Sequence, residues 1–214
     1  MPAGLTQDQF YSIVQAHVGL VSASSSDNHR ATRLIAANED VSRKAVLESY
    51  NWNFAIKRAS LTTTTTAPVF GFANSFTPPA DMLRIIGVND PTAPRSNYTS
   101  GNAQVGYEWK LEGGLIRTDL TQFDCYYVAD ITDYTTWDAA FLLAHGLHLA
   151  SQIAYSLTGR VDLSNNLEAR FREAVRQARV SHAITGTPEQ IMADSYIDGQ
   201  AGYEPPYYRW VSVP

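Results

Sequence analysis

The sequence predicts an α+β fold: a discontinuous base of four helices, a small antiparallel β domain inserted between the second and third, and an extended C-terminal arm. Three observations predict it. Apolar residues recur with helical period on both sides of a central stretch but not within it. From about residue 53 to residue 133 the chain turns to threonine, proline and alternating apolar residues, as strands and turns do. Beyond residue 185, Pro188, Gly199, Gly202, Pro205 and Pro206 leave no room for a long regular element. The expected divisions are residues 1–52 and 135–185 for the two parts of the helical base, 53–134 for the β domain (a sandwich or partly open barrel) and 186–214 for the arm.

Residues 6–20 are predicted as a short amphipathic helix with Phe10, Ile13, Val14 and His17 on one side. Residues 21–26 read as a loop. Asp27 or Asn28 is expected to cap a second helix running to about Tyr50. On it Leu34, Ala37, Val41 and Ala45 are spaced for one buried face. Glu39/Arg43 and Asp40/Lys44 are acid-before-base pairs four residues apart on the other faces, each worth about 0.3 kcal/mol. The chain then reads Tyr50-Asn51-Trp52-Asn53-Phe54-Ala55. Trp52 and Phe54 are two residues apart, so on a strand they would share a side. They are expected to form a seam that pins the β domain to the helical base.

Five successive threonines, Thr62 to Thr66, are β-branched and unsuited to a helix. Glu112-Gly113-Gly114 lies between Trp109-Lys110-Leu111 and Leu115-Ile116-Arg117, which reads as a hairpin. Cys125-Tyr126-Tyr127-Val128-Ala129 is a further strand. Residues 90–102 read as an exposed loop. Helical signals return at Trp137-Asp138, and residues 139–157 carry no charge. That stretch is long enough to cross a bilayer. Polar residues His145, His148, Ser151 and Gln152 interrupt it, so a central packed helix is expected and no membrane span. Thr158-Gly159 is a stop. The fourth helix, about residues 164–183, has Leu167, Phe171, Ala174, Val175 and Ala178 on one face. Glu168, Arg172, Arg176 and Arg179 lie on the other.

At 214 residues the chain buries roughly 70% of its unfolded surface. With 44% hydrophobic and 17% charged residues it is a folding chain rather than a disordered one. Its 12 tyrosines suit partner contacts. A net charge of −5 gives no basic footprint for gripping nucleic acid. The single cysteine, Cys125, excludes an internal disulfide and reads as a small buried hydrophobe. Met1-Pro2-Ala3-Gly4-Leu5 has neither the basic nor the apolar region of a signal peptide.

No constellation for catalysis emerges. His145 and His148 sit three apart on the apolar helix, a spacing metal sites use, yet no third ligand follows, so core or interface histidines are expected. Asp130, Asp133 and Asp138 lack the spacing of a calcium loop and suit turns and helix starts. Asp194 and Asp198-Gly199 are no stronger. Cys125 has no adjacent histidine to activate it. Arg170, Arg172, Arg176 and Arg179 are interleaved with Glu168 and Glu173, which fits a solvated or subunit-contacting face better than a phosphate site. The expectation is no enzyme, no cofactor and no metal.

Several segments together resemble the head-to-tail adaptors of short-tailed bacteriophages, the tail tubular protein A family. The resemblance runs from about Arg30 to Gly199 and rests on order more than on any one motif. It begins with Trp52-Asn53-Phe54-Ala55 and Arg58-Ala59. It continues through Phe76-Thr77-Pro78-Pro79-Ala80-Asp81-Met82-Leu83-Arg84, where Pro78 replaces the family's usual Leu. Tyr107, Leu111-Glu112-Gly113, Ile116, Thr118-Asp119, Asp133 and Trp137-Asp138 follow. The apolar helix, the arginine-bearing helix and Asp194-Ser195-Tyr196-Ile197-Asp198 complete the series. Gly199-Gln200 departs from the family's Ala-Arg.

The resemblance implies a structural virion protein of the tail, assembled in the host cytoplasm. It implies a ring of twelve copies between the portal protein and the tail nozzle protein, lining a channel for double-stranded DNA. An acidic chain around that channel would let DNA pass without sticking. A cyclic ring requires two unlike lateral faces per subunit. These are expected on the helix of residues 30–44 and on the fourth helix, with Arg172, Arg176 and Arg179 at the portal or a neighbouring subunit. Tyr207, Tyr208 and Trp210 on the arm are expected to anchor on the same partners. The alternative is a carbohydrate-binding β domain on a helical stalk, with Trp109, Tyr107 and Tyr98 as stacking residues. A hydrolase is the third reading, disfavoured by the missing nucleophile and metal constellations.

Overall fold

The computed structural model describes residues 4–20, 29–64, 67–89 and 108–183. These form four helices and two small antiparallel sheets, an α+β fold. The expected loops at 21–26 and 90–102, and the arm with Tyr207, Tyr208 and Trp210, lie outside the described residues.

Helix α1, Gln7–Val18, starts at a capping box. Thr6 Oγ1 accepts from Gln9 N at 3.4 Å, and Thr6 N donates back to Gln9 Oε1 at 2.9 Å. Gly19 ends it in the left-handed conformation at φ 79°. Helix α2, Arg30–Ser49, has its cap position at His29, which makes no side-chain capping bond. The expected capping residues Asp27 and Asn28 lie outside the described residues.

The expected stripe on α2 is also corrected. Ala37, Val41 and Ala45 face solvent, and only Leu34 of the four packs partly against the core. The inward face instead carries Thr32, Ile35, Glu39, Ser42, Arg43, Val46 and Leu47. Four of those seven are polar, and three have partners that offset their desolvation: Glu39, Ser42 and Arg43. Hydropathy spacing alone points to the wrong side because those partners come from distant segments.

Helix α3, Ala139–Thr158, is capped by Asp138, whose carboxylate accepts from Phe141 N at 2.6 Å, and ends at Gly159 with φ 70°. Helices α1, α2 and α4 (Val161–Ala183) all pack against it, which makes it the centre of the larger hydrophobic core. No described helix is long and apolar enough to cross a membrane. Helix α4 starts three residues earlier than expected and buries Leu167, Ala174, Val175 and Ala178 as its spacing predicts.

The strands lie between α2 and α3 in sequence. One sheet has order β1-β6-β3, from Ile56–Leu61, Phe123–Ala129 and Met82–Asn89. The other has order β2-β5-β4, from Asn74–Phe76, Leu115–Thr118 and Trp109–Glu112. Gly113 and Gly114 make the predicted two-residue hairpin turn, with φ of 59° and 76° that side chains resist. Alternate residues of β6 serve different cores. Tyr126 and Val128 pack with the helices, while Phe123, Cys125, Tyr127 and Ala129 join Phe76 and Ile116 between the sheets.

Trp52 and Phe54 are not on a strand. Trp52 precedes a 3-10 turn, Asn53–Ala55, and β1 begins only at Ile56. They nonetheless meet on one ring: Trp52 lies edge-on to Phe141 at 5.2 Å, and Phe54 at 5.0 Å. The tight turn, rather than strand alternation, aims both side chains at α3. Trp52 is fully buried and its Nε1 donates to Val46 O at 2.9 Å.

Candidate functional site

The sequence-predicted residues divide into a buried polar network and exposed faces of unlike character. The network begins at Glu39 on α2. Its carboxylate accepts from Tyr11 Oη of α1 at 2.8 Å and from the Tyr134 hydroxyl that precedes α3. Burial raises the Glu39 pKa, and the tyrosine and Arg43 contacts oppose that rise. One turn on, Arg43 bridges Asp130 and Asp40. The expected Glu39–Arg43 pair is thus replaced by Arg43–Asp130, whereas Asp40–Lys44 forms at 2.7 Å. Three segments distant in sequence are locked together by these bonds.

His148 meets Ser42 Oγ through Nδ1 at 2.9 Å, and its ring lies 4.8 Å from Phe171. His145 is fully buried and stacked on Phe10 at 4.7 Å, with Trp137 and Phe141 around it. Neither of its ring nitrogens has a hydrogen-bond partner among the described residues. Burial pushes its pKa down to about 3, so it is a neutral ring in an aromatic box. Among the described residues no group of three or more His, Cys, Asp or Glu side chains is placed to hold a metal ion. Asp133 and Asp138 cap the 3-10 turn Tyr134–Thr136 and α3, while Asp130 serves as the Arg43 partner. Cys125 is buried, and desolvation pushes its thiol up to about 11, away from nucleophilic use.

The outward faces differ. On α2, Val41 is 67% exposed and is flanked along the helix by exposed Ala37 and Ala45. On α4, Arg172 pairs with Glu168 at 3.1 Å, and Arg176 grips both oxygens of Glu173 at 2.8 and 2.7 Å. The Arg176 and Gln177 bonds hold Glu173 at about 2. Arg179 does something else. It donates to Ser49 O at 3.1 Å and its guanidinium sits 5.8 Å from the Tyr50 ring, tying α4 to the end of α2. The three arginines therefore form two helix-surface pairs and one intramolecular tie.

A feature that hydrophobic spacing did not single out lies between β1 and β2. Val69 is 96% exposed and Phe70 is 87% exposed. The signal was in the sequence as Pro68-Val69-Phe70-Gly71-Phe72, an apolar run bounded by a proline and a glycine, which turns favour. Trp109, by contrast, rests edge-on to Phe123 at 6.1 Å and contributes to the core between the sheets. Tyr98 and Tyr107 lie outside the described residues. No family model matches the chain, and no curated protein matches it.

Proposed function

We propose that this chain is a ring-forming head-to-tail adaptor of a short-tailed bacteriophage, joining the portal to the tail nozzle around the DNA channel. The observation that carries the reading is the pair of unlike outward faces: apolar Ala37, Val41 and Ala45 on α2, and paired charges on α4, both helices packed on α3. Cyclic repetition joins one face of each subunit to a different face of the next. The order of elements, two helices, six strands and two helices, supports a discontinuous helical base with an inserted β domain. In this reading the base faces the portal and the β domain faces the nozzle. Tyr207, Tyr208 and Trp210 anchor on the portal or on a neighbouring subunit. The net charge of −5, repeated around twelve subunits, keeps DNA from adhering to the channel.

The test is light scattering and negative-stain imaging of the purified chain, alone and mixed with the portal of a short-tailed phage. Rings, formed alone or on portal contact, support the adaptor. A monomer indifferent to the portal sinks it. Val41→Glu should block ring formation while leaving the fold intact, because Val41 contributes little to the core. The carbohydrate-binding reading has no comparable support, since Trp109 is engaged with Phe123.

A further inference from the structure

We propose that α1 is an acid-released clasp, a helix that lifts off α3 when the imidazole it covers takes up a proton. That imidazole belongs to His145, whose ring is stacked on Phe10 of α1 at 4.7 Å and enclosed by Trp137 and Phe141. It is 0% exposed, and neither ring nitrogen has a hydrogen-bond partner among the described residues. An imidazolium there would hold two N–H donors and a charge with nothing to receive them, so the proton and the closed arrangement oppose each other. The next residue, Gly146, has no side chain, and Phe10, Ile13 and His17 come within 3.8 Å of the place a Cβ would take. That close seat keeps the imidazole covered for as long as α1 stays down.

The groups around His145 give a cation no refuge. On α2, Arg43 brings a like charge. Glu39 offers its main-chain carbonyl, beyond hydrogen-bond reach, while its carboxylate accepts from Tyr11 and Tyr134. On α3, His148 is a second base whose charged form would repel the first. On α1 stand Tyr11 and His17, and His17 Nε2 is itself buried without a partner. On α4, Glu168 acts on His148 and Arg170 on His17, neither on His145. The element whose departure uncovers the ring with least disruption is α1. It has 12 residues, and an isolated helix of that length is marginal in water, so a lifted α1 also melts. Helices α2 and α4 still pack on α3 when α1 leaves. Release also frees Glu39 from Tyr11, and an exposed Glu39 gives up its proton more readily, which works against His145. The native chain is therefore compared with variants that differ at position 145 alone. The device belongs to the single chain and stands whether or not that chain forms a ring.

The test is hydrogen exchange of the full-length chain between about pH 7 and pH 4, beside His145→Phe and His145→Leu, with each rate corrected for the intrinsic pH dependence of exchange. The expected result is one shared protection for residues 11–18, well below that of residues 167–178 on α4. Relative to either variant it falls about tenfold per pH unit below about pH 6, the signature of one proton taken up on opening. Equal protection in the two helices overturns the proposal, because the proton would then enter only through global unfolding. A lower α1 protection whose ratio to the variants does not change with pH also overturns it, because α1 would then open without uncovering His145. Should neither variant fold, the native chain decides through the His145 Hε1 resonance. A ring that stays neutral for as long as α1 is protected is the expected outcome, and a ring that titrates beneath a protected α1 overturns the proposal.

Discussion

Arg43 donates from Nε and Nη2 to the two carboxylate oxygens of Asp130, at 2.8 and 3.0 Å, joining the middle of α2 to the residue after β6. The pair is bidentate and mostly buried, the geometry in which an ion pair is strongest and its loss most costly. Asp130→Ala leaves Arg43 with Asp40 alone and should destabilise the fold by about 2–3 kcal/mol in urea denaturation, less than the roughly 3–5 kcal/mol of a buried charge left with no partner. Replacing both residues together, Arg43→Met with Asp130→Leu, should recover most of that loss. A double variant as unstable as the single one would show that the pair specifies packing that apolar residues cannot supply.

Trp52→Ala should cost about 3–5 kcal/mol, the range for a large aromatic removed from a core. The ring contacts Tyr50 and Phe141 edge-on at 5.4 and 5.2 Å, and its Nε1 bond to Val46 O closes the end of α2. Trp52→Phe should lose less, about 1–3 kcal/mol, from the smaller ring and the lost Nε1 bond, while Val46 O keeps the Ser49 hydroxyl at 2.7 Å. Chemical denaturation of the two variants separates packing from hydrogen bonding. Equal losses would mean that the bond, not the ring, carries the effect.

His145 makes the fold acid-sensitive. Its folded pKa of about 3 lies below the ordinary value of 6.5, so between these values the unfolded chain binds a proton that the folded chain does not. Stability should therefore fall as pH drops from about 6.5 toward 3, by on the order of 4 kcal/mol from this group. His148, its pKa lowered chiefly by burial, pulls the same way. Glu39 opposes them: its pKa is raised, so its contribution is full in acid and lost as pH rises through the folded value. His145→Phe should flatten the profile between pH 7 and 5, measured by denaturation at each pH. An unchanged slope would assign the acid response to other groups.

Gly146 lies in the middle of α3 where α1 crosses it. A Cβ there would meet Ile13, His17 and Phe10 at 3.7 to 3.8 Å, ordinary contact distances. Gly146→Ala should therefore raise stability by up to about 1 kcal/mol, the helix-interior difference between the two residues. Gly87 is the opposite case: its Cβ would lie 2.5 Å from Tyr126 Oη, at an irregularity in β3. Gly87→Ala should cost about 1–3 kcal/mol as the tyrosine is displaced. Thermal melts of the pair should move in opposite directions.

Elements with local signatures were legible in the sequence. The Gly113-Gly114 hairpin, the Asp138 and Gly159 limits of α3 and the buried side of α4 each depend on residues a few positions apart. What spacing could not show was which side of α2 faces inward, because Glu39 and Arg43 are made welcome there by Tyr11, Tyr134 and Asp130. The same limit hid the role of Trp52 and Phe54. Their convergence on Phe141 comes from a 3-10 turn that their alternation did not announce. Of the candidate interface residues, Arg172 and Arg176 stand on the surface as their helical positions imply. Arg179 is engaged with α2, a contact 130 residues away in sequence.

The two-sided use of β6 has a thermodynamic consequence. One strand lends Val128 to the helical core and Phe123, Cys125 and Tyr127 to the cluster between the sheets. Neither core can melt without stripping a wall from the other. The described part of the molecule should unfold in a single calorimetric transition, with calorimetric and van't Hoff enthalpies in agreement. A fragment cut to residues 53–134 should not inherit that cooperativity, because its outward β6 side chains would have no helices to meet. Heat would then register this protein as one indivisible unit, however many parts its chain order suggests.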